Sequence, residues 1–454
     1  MKSILAQHGK KTLLILLFLC SYLICASVQA FNVNTDMFKA DQIDNMSRAV
    51  GFKTEPYKYI SDGNRMPVYP YLLSFLYHSN IPMEDYFQRG KIFNIILSVI
   101  LLTILYFIFR KYLPNKESNL LLLIIAFTVF MPRAGYLQCE LLFYFLNFCA
   151  FVLFWGCLKK PLLWRAASAG LLAGLSYLTK ASVLPAVVWF VTCYFIFNIA
   201  VLIFKVIVNK INNELILQEN HIFKNIVFLG AFILIFLMTV SPYLQVNKRV
   251  FGHYFYNVNS TFYIWYDSWE EVVKGTRAHG DRVGCPIMPP EEIPTGGNYL
   301  REHTLSQLFA RLANGFIVVT TNAMGGYGYA QYLCIYLLIC VMAIIKQYGS
   351  FVEYLKWDNN FAVVISLVSY FLLYFLLYVF GAAIFKGPRH ALAQYLPALF
   401  IMFYFLSKFG FSYYAQSLKC KFSMREIRII VFYLFLIDMI FNMPYKIYKV
   451  FNGW

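Results

Sequence analysis

The chain is expected to fold as a polytopic, all-α membrane protein, and three observations carry that expectation. Hydrophobic residues fill 60% of its 454 positions and charged residues only 13%, too little polar surface for two or three soluble domains. Apolar runs of roughly 17–22 residues, the length that crosses about 30 Å of hydrocarbon, recur along the whole chain. The Lys and Arg surplus behind a net charge of +17 is sorted into alternate connections, as the positive-inside rule requires.

About eleven spans follow in order, at roughly 11–30, 92–110, 119–132, 141–157, 166–179, 182–204, 226–242, 326–345, 360–384, 391–407 and 429–445, all within a single domain covering 1–454. With the N-terminus inside, Lys2, Lys10 and Lys11 precede the first span. Arg110, Lys111 and Lys116 follow the second, and Lys159, Lys160 and Arg165 follow the fourth. The 408–428 connection carries Lys408, Lys419, Lys421, Arg425 and Arg428 against Glu426. Two long loops of opposite sidedness, about 31–91 and 243–325, balance Lys and Arg against Asp and Glu. The excess base is therefore a topology signal, helped by anionic membrane lipids, and it argues against nucleic-acid binding. Residues 1–30 also resemble a cleavable signal peptide, with Lys10 and Lys11 before an apolar 12–25 run and "VQA" before Phe31. Either reading leaves the 31–91 loop on the non-cytoplasmic side.

Most of the ten cysteines, among them Cys20, Cys25, Cys149, Cys157, Cys193, Cys334 and Cys340, fall in spans as small apolar residues. Cys139 and Cys285 fall on the outer side, where one disulfide is allowed but not implied. No C-x-x-C metal spacing occurs. The glycosylation sequons "NMS" at Asn45 and "NST" at Asn259 are triplets that chance also produces.

In the first outer loop, apolar Ile43, Met46 and Val50 recur at helical spacing, and Asp41, Asp44 and Arg48 recur one face away. This predicts a short helix over 41–50 lying in the interface, apolar side in lipid and acids up, stopped by Gly51. In the following "SDGNRMPVYPYLLSFLY", Gly63, Pro67 and Pro70 break regular structure and deliver Arg65 to the membrane surface. The second loop, from "SPYLQVNKRVFGHYFYNVNSTFYIWYDSWEE" through "MPPEEIPTGGNYLREHT", has no linker and is expected to pack over the span ends. A last outer turn, "FKGPRHALAQYLP", brings Lys386, Arg389 and His390 to the water–lipid boundary.

Separate segments thus bring the acids Asp41, Asp44 and Glu140 and the bases Arg65, Lys180, Lys386 and Arg389 to one membrane surface. Glu140 opens the fourth span in "PRAGYLQCELLFYFL". Lys180 ends the fifth in "GLLAGLSYLTKASVLP", where Gly170 and Gly174 permit close helix contact. The combination suits a sugar linked to a lipid phosphate. That leaving group needs fixed positive charge rather than an acid, whereas the acceptor hydroxyl needs a base, and one carboxylate opposite the leaving group suffices for inversion. Each residue also has a plainer role: a solvated helix face for Asp41 and Asp44, a helix N-terminal charge for Glu140, snorkelling for Lys180 and Arg389, and a loop ion pair for Arg65.

Taken together, the acid-bearing helix after the first span, "R-x-P-x-Y-P" at Arg65–Pro70, "GLxYLTK" ending at Lys180, "SPYLQVNKRVFG" and "GPRH…LP" resemble the GT-C superfamily of integral membrane glycosyltransferases. The branch is that of protein O-mannosyltransferases and lipid A aminoarabinose transferases, and the likeness spans most of residues 1–400. It implies a polyprenyl-phosphate-linked sugar donor, a glycan, glycolipid or protein hydroxyl as acceptor, and a site on the periplasmic or lumenal side. It also implies Asp41 as catalytic base, aided by Glu140 or Asp44, with Lys180, Arg389 and Arg65 holding the lipid phosphate. Where that group commonly carries an acid pair or Asp-Glu, this chain has Asp41-Gln42, with Asp44 one turn on. Metal use and the choice of base therefore stay open; a divalent metal is the cofactor to weigh, though nothing in the sequence requires one.

The Phe, Tyr, Lys and Asn bias favours a bacterial inner membrane over an endoplasmic reticulum. Two other classes compete. A transporter or flippase of a lipid-linked saccharide calls for polar residues midway through several spans and an internal repeat; Asp438 alone stands mid-span, and no repeat is evident. A non-catalytic membrane subunit would keep the same loops.

Overall fold

Helix is the only regular structure among the residues that the computed structural model describes: 16–203, 219–324, 329–356, 360–385, 387, 389, 391–408 and 424–448. Helices satisfy their own backbone N–H and C=O groups, which hydrocarbon cannot do for them. Leaving aside short turns of helix, three of which (Val258–Thr261, Trp269–Lys274 and Gly296–Glu302) lie within 252–304, they are in chain order α1 (Leu16–Val33), α2 (Gln42–Thr54), α3 (Val68–Ser74), α4 (Met83–Tyr112), α5 (Asn115–Ala134), α6 (Glu140–Lys159), α7 (Leu163–Tyr177), α8 (Ala181–Ile203) and α9 (Glu219–Phe251). There follow α10 (Leu305–Met324), α11 (Tyr329–Lys346), α12 (Tyr348–Lys356), α13 (Asn360–Gly381), α14 (Leu392–Lys408) and α15 (Met424–Tyr448). Eight of them, α1, α4, α5, α6, α8, α9, α13 and α15, are long and apolar enough to cross a membrane; α11 and α12, bent by 89° at their junction, make up to nine. The chain is an integral membrane protein by this measure.

Over their described residues the eleven expected spans fall on helices, with 11–15, 204 and 326–328 lying outside the described residues, but two of the helices are short. The 15 residues of α7 reach only about 22 Å at 1.5 Å per residue, and α14 has 17. Packing explains why α7 tolerates its length. It lies close against α9, and a Cβ on Gly170 would sit 2.6 Å from the Phe232 carbonyl oxygen.

The long connections are shorter than the sequence suggested, 34–82 and 252–304 rather than 31–91 and 243–325. Glu84 and Asp85 extend α4 toward its N-terminus, where acids favour the helix dipole. On the other side, α9 runs through Pro242 to Phe251. The amphipathic α10 fills 305–324, exposing Leu305, Phe309, Phe316 and Ile317 while burying Arg311 and Gly315.

Two details of the first loop are corrected. Gly51 does not end α2, which continues to Thr54; instead it admits the Tyr59 ring, which a Cβ would meet at 2.5 Å. Nor does the apolar face of α2 lie in lipid. Met46 and Ala49 are fully buried against Tyr69, Leu73, Tyr86, Phe87 and Leu137.

The two connections close over the same end of the bundle. Val258 N donates to Gly63 O at 2.8 Å, Asn257 Nδ2 to Asn64 O at 2.9 Å and Ser61 Oγ to Asn247 Oδ1 at 2.5 Å. A second knot holds 252–304 to α10. Asp267 accepts from Arg311 Nη1 at 2.8 Å, Tyr299 OH at 2.7 Å and His303 Nε2 at 2.8 Å. Arg311 also donates to Ile264 O and Phe380 O. Because His303 Nδ1 faces the Tyr299 carbonyl at 2.8 Å, both ring nitrogens point at acceptors, and only the imidazolium donates to both.

Burial opposes that charge and Arg311 repels it, but the Asp267 carboxylate and the Tyr299 carbonyl outweigh them and raise the His303 pKa above its ordinary 6.5. A raised folded-state pKa adds stability that is complete below the unfolded value and is lost as pH rises through the folded one. His303→Gln should therefore lower Tm most below pH 6.5 and converge on the wild type in alkaline buffer, read by thermal unfolding in detergent across pH. A Tm deficit independent of pH would show that the imidazolium does not hold the knot.

Candidate active site

Asp41 occupies the N-cap position of α2, but its carboxylate caps no backbone N–H there. It turns to two guanidiniums instead. Arg65 Nη2 lies 2.9 Å from Asp41 Oδ1 and 2.5 Å from Asp44 Oδ2. Arg389 Nη1 lies 2.7 Å from Asp41 Oδ2 and 3.9 Å from Glu140 Oε1. Lys180 Nζ then meets Glu140 Oε1 at 3.0 Å. Six side chains from five segments thus form one alternating row: Asp44, Arg65, Asp41, Arg389, Glu140, Lys180.

Local structure explains each position. Glu140 is the first residue of α6, 3% exposed at its side chain, where the helix dipole favours an anion. Lys180 follows the end of α7, and the α7–α6 packing returns it to the start of α6. Arg389 precedes α14, which α6 pins in place: Tyr144 OH donates to Arg389 O at 2.8 Å and Asn147 Nδ2 to Ala393 O at 3.0 Å. Arg65 is carried by a turn in which Asp62 Oδ1 accepts from the backbone N–H of Asn64 and Arg65. Asp62 also pairs with Arg48 at 2.6 Å. Lys386 and His390 lie outside the described residues.

Burial opposes ionisation of Asp41, yet Arg65 and Arg389 outweigh both that and the repulsion of Glu140, so its carboxyl lies below the ordinary 3.8. With both guanidiniums on it, Asp41 is a held anion and a weak base. Arg65 stands between Asp41 and Asp44 and Arg389 between Asp41 and Glu140, so a divalent ion would have to displace a guanidinium to sit between two carboxylates of the row. Among the described residues no three His, Cys, Asp or Glu side chains gather as metal ligands.

Several residues of this region escaped sequence reasoning. Arg133, in the last turn of α5, is 1% exposed and within electrostatic reach of Glu140 and Tyr144; the only signal was a cation inside an apolar run. Lys91, buried in α4, donates to Asn34 O at 3.1 Å and lies over the Phe87 ring. The sequon residue Asn45 is also buried, its Nδ2 donating to Asp41 O at 2.9 Å and Leu137 O at 3.0 Å, so the atom that would carry a glycan is occupied. Asn259 Nδ2 donates to Asn64 Oδ1. Cys139 and Cys285 are free thiols. Mid-span Asp438 lies apart from the row, matched by Lys446 at 2.6 Å, Tyr332 OH at 2.9 Å and Asn442 Nδ2 at 2.7 Å.

Comparison with protein-family models, with curated proteins and with solved structures returned no match. The chemistry of the row is therefore read from its own atoms.

Glu140 makes its closest ion pair with Lys180, and both side chains are largely buried. Removing one partner strands a buried charge, which typically costs about 3 kcal/mol or more, whereas removing both is far milder. Lys180→Met should destabilise the protein by about 3 kcal/mol, and adding Glu140→Gln should recover most of it, read as a double-mutant cycle on thermal unfolding. Strict additivity would mean the two charges are not coupled.

Proposed function

We propose that the protein is a membrane glycosyltransferase of GT-C type. It would transfer a sugar from a polyprenyl-phosphate-linked donor to the hydroxyl of a glycan, glycolipid or protein. One observation carries this reading: three carboxylates and three cations meet in a single row where helices of an apolar bundle end. A lipid keeps its phosphate at that depth, so its headgroup arrives where fixed positive charge and a carboxylate already stand side by side. In the GT-C layout α7 and α14 count as short spans, which local thinning of the bilayer accommodates. With the bent α11–α12 pair they bring the crossings to eleven, and α10 lies outside that count.

In this reading Arg389, Lys180 and Arg65 receive the donor phosphate and stabilise the charge that grows on it as the glycosidic bond breaks. Each guanidinium drawn to phosphate leaves Asp41. Its pKa then rises toward the range of an effective base, and it takes the proton of the acceptor hydroxyl as that oxygen attacks the anomeric carbon from the opposite face. Glu140 keeps Lys180 and Arg389 oriented, and Asp44 steadies Arg65. The basic connections favour a site on the non-cytoplasmic side, and the Phe, Tyr, Lys and Asn bias favours a bacterial inner membrane, with the site facing the periplasm or exterior.

Asp41→Asn preserves volume and hydrogen-bonding reach but removes the base. A general base contributes about 10²–10⁴-fold, so the variant should bind donor and transfer sugar at least about a hundredfold more slowly. Near-wild-type transfer from a radiolabelled polyprenyl-phosphate sugar in nanodiscs would exclude Asp41. A large loss confined to Asp44→Asn would move the base one turn along.

For the phosphate, Arg389→Ala and Lys180→Ala should each abolish saturable donor binding, with Arg389→Lys restoring part of it, since an ammonium lacks the bidentate fork. Unchanged binding in both alanine variants removes them from the donor site. Sidedness is tested by a membrane-impermeant maleimide on intact cells. Cysteine at exposed Ser79, in the connection before α4, should label, and cysteine at exposed Lys116, in the first turn of α5, should not; the reverse pattern contradicts the orientation.

A further inference from the structure

Ala40, directly before Asp41, has φ +56°, a left-handed conformation that a residue with a Cβ adopts only at a cost in energy. Something has to hold it there, and the adjacent Gln42 makes the contacts that do. Gln42 is fully buried. Its Nε2 donates to Asp36 O and Lys39 O, both at 3.2 Å, closing the turn that leads into Ala40. The same amide exchanges two hydrogen bonds with Asn34, Nε2 to Oδ1 at 2.9 Å and Asn34 Nδ2 to Oε1 at 2.8 Å.

The other end of the amide reaches the segment leading into Glu140. Gln42 Oε1 accepts from Leu137 N at 3.1 Å, and Asn34 Nδ2 donates to Gly135 O at 2.8 Å. One primary amide therefore spaces the turn bearing Asp41 from the turn before Glu140. The task needs a group that donates and accepts at once. A carboxylate only accepts, so the amide is the side chain of this length that fits beside Asp41.

We infer that Gln42 is the positioning residue for Asp41: it holds the left-handed turn at Ala40 and fixes the Asp41 carboxylate relative to Glu140 and Arg389. This rests on Asp41 acting as the base of a glycosyl transfer. The test uses the full-length protein with Gln42→Glu, Ala40→Gly, Ala40→Val and the Gln42→Glu/Ala40→Gly pair. Misplacing a reacting group by about 1 Å costs about a hundredfold, so Gln42→Glu should lower kcat by that order and leave KM for the donor unchanged. Glycine takes a positive φ freely. Ala40→Gly alone should be near wild type, and in the pair it should restore much of the lost kcat. Ala40→Val loads the same turn without touching the buried amide, and should lower kcat even if Gln42→Glu fails to fold.

Wild-type kcat in Gln42→Glu or Ala40→Val, or a pair no better than Gln42→Glu, overturns the inference. Amide hydrogen exchange over residues 34–45 needs no turnover. It should quicken about tenfold in Gln42→Glu while α6 is unchanged, and unchanged exchange also overturns the inference. A wild type that transfers no sugar would refute the glycosyltransferase reading instead, with the exchange still deciding whether Gln42 holds the turn.

Discussion

A carboxylate buried at the end of an apolar bundle needs cations beside it, and that constraint organises this molecule. Desolvating a single carboxylate or guanidinium costs several kcal/mol even after relaxation. Asp41, Glu140, Lys180, Arg65 and Arg389 are all largely withdrawn from water. They are tolerable because they alternate in sign along one row. To make the row, the segment after α1, the turn before α3, the first residue of α6, the end of α7 and the start of α14 have to converge. The convergence in turn dictates the close α7–α9 contact at Gly170 and the hydrogen bonds that pin α14 to α6.

The same constraint shapes the chemistry proposed for the row. A row already balanced in charge gains from a phosphate only if the phosphate takes over cations that the carboxylates hold. Arg389 is the natural member to move, since its Nη1 is shared between Asp41 at 2.7 Å and Glu140 at 3.9 Å. Arg65 and Arg389 keep Asp41 ionised but weakly basic; in the proposed reaction the donor phosphate would release it. A base that strengthens as the donor arrives is suited to transfer onto an acceptor.

Much of this was legible in the sequence, for a physical reason. Placing charge near lipid is costly, so Asp41, Asp44, Glu140, Arg65, Lys180 and Arg389 stood out against apolar surroundings, and hydropathy located the helices that carry them. What sequence did not reveal was pairing. Nothing in spacing says that Arg389 reaches back to Asp41 across 348 positions. Arg133 was hidden inside an apolar run, where one cation barely lowers mean hydropathy, and Lys91 stood beside Arg89 at the polar edge of a span, like an ordinary loop cation. The amides of Asn34, Gln42 and Asn45 carry no periodic signal at all, since Asn34 and Gln42 bond each other and all three reach backbone atoms of near or distant turns. The helix α10 was read as loop because its polar face, Arg311 included, dilutes an apolar face that a span would show all round. Gly51 has the composition of a helix stop, but the packing of the Tyr59 ring against it, which no local pattern shows, is what calls for glycine there.

The central claim is that a lipid phosphate exchanges places with Asp41 on Arg389, and a structure of the protein in nanodiscs with a polyprenyl phosphate bound tests it most directly. The account predicts phosphate density within hydrogen-bonding distance of Arg389 and Lys180, with the Arg389–Asp41 contact broken and the Asp41 carboxylate facing the open acceptor side. Phosphate bound elsewhere, or bound here with the Arg389–Asp41 bridge still at 2.7 Å, would contradict it.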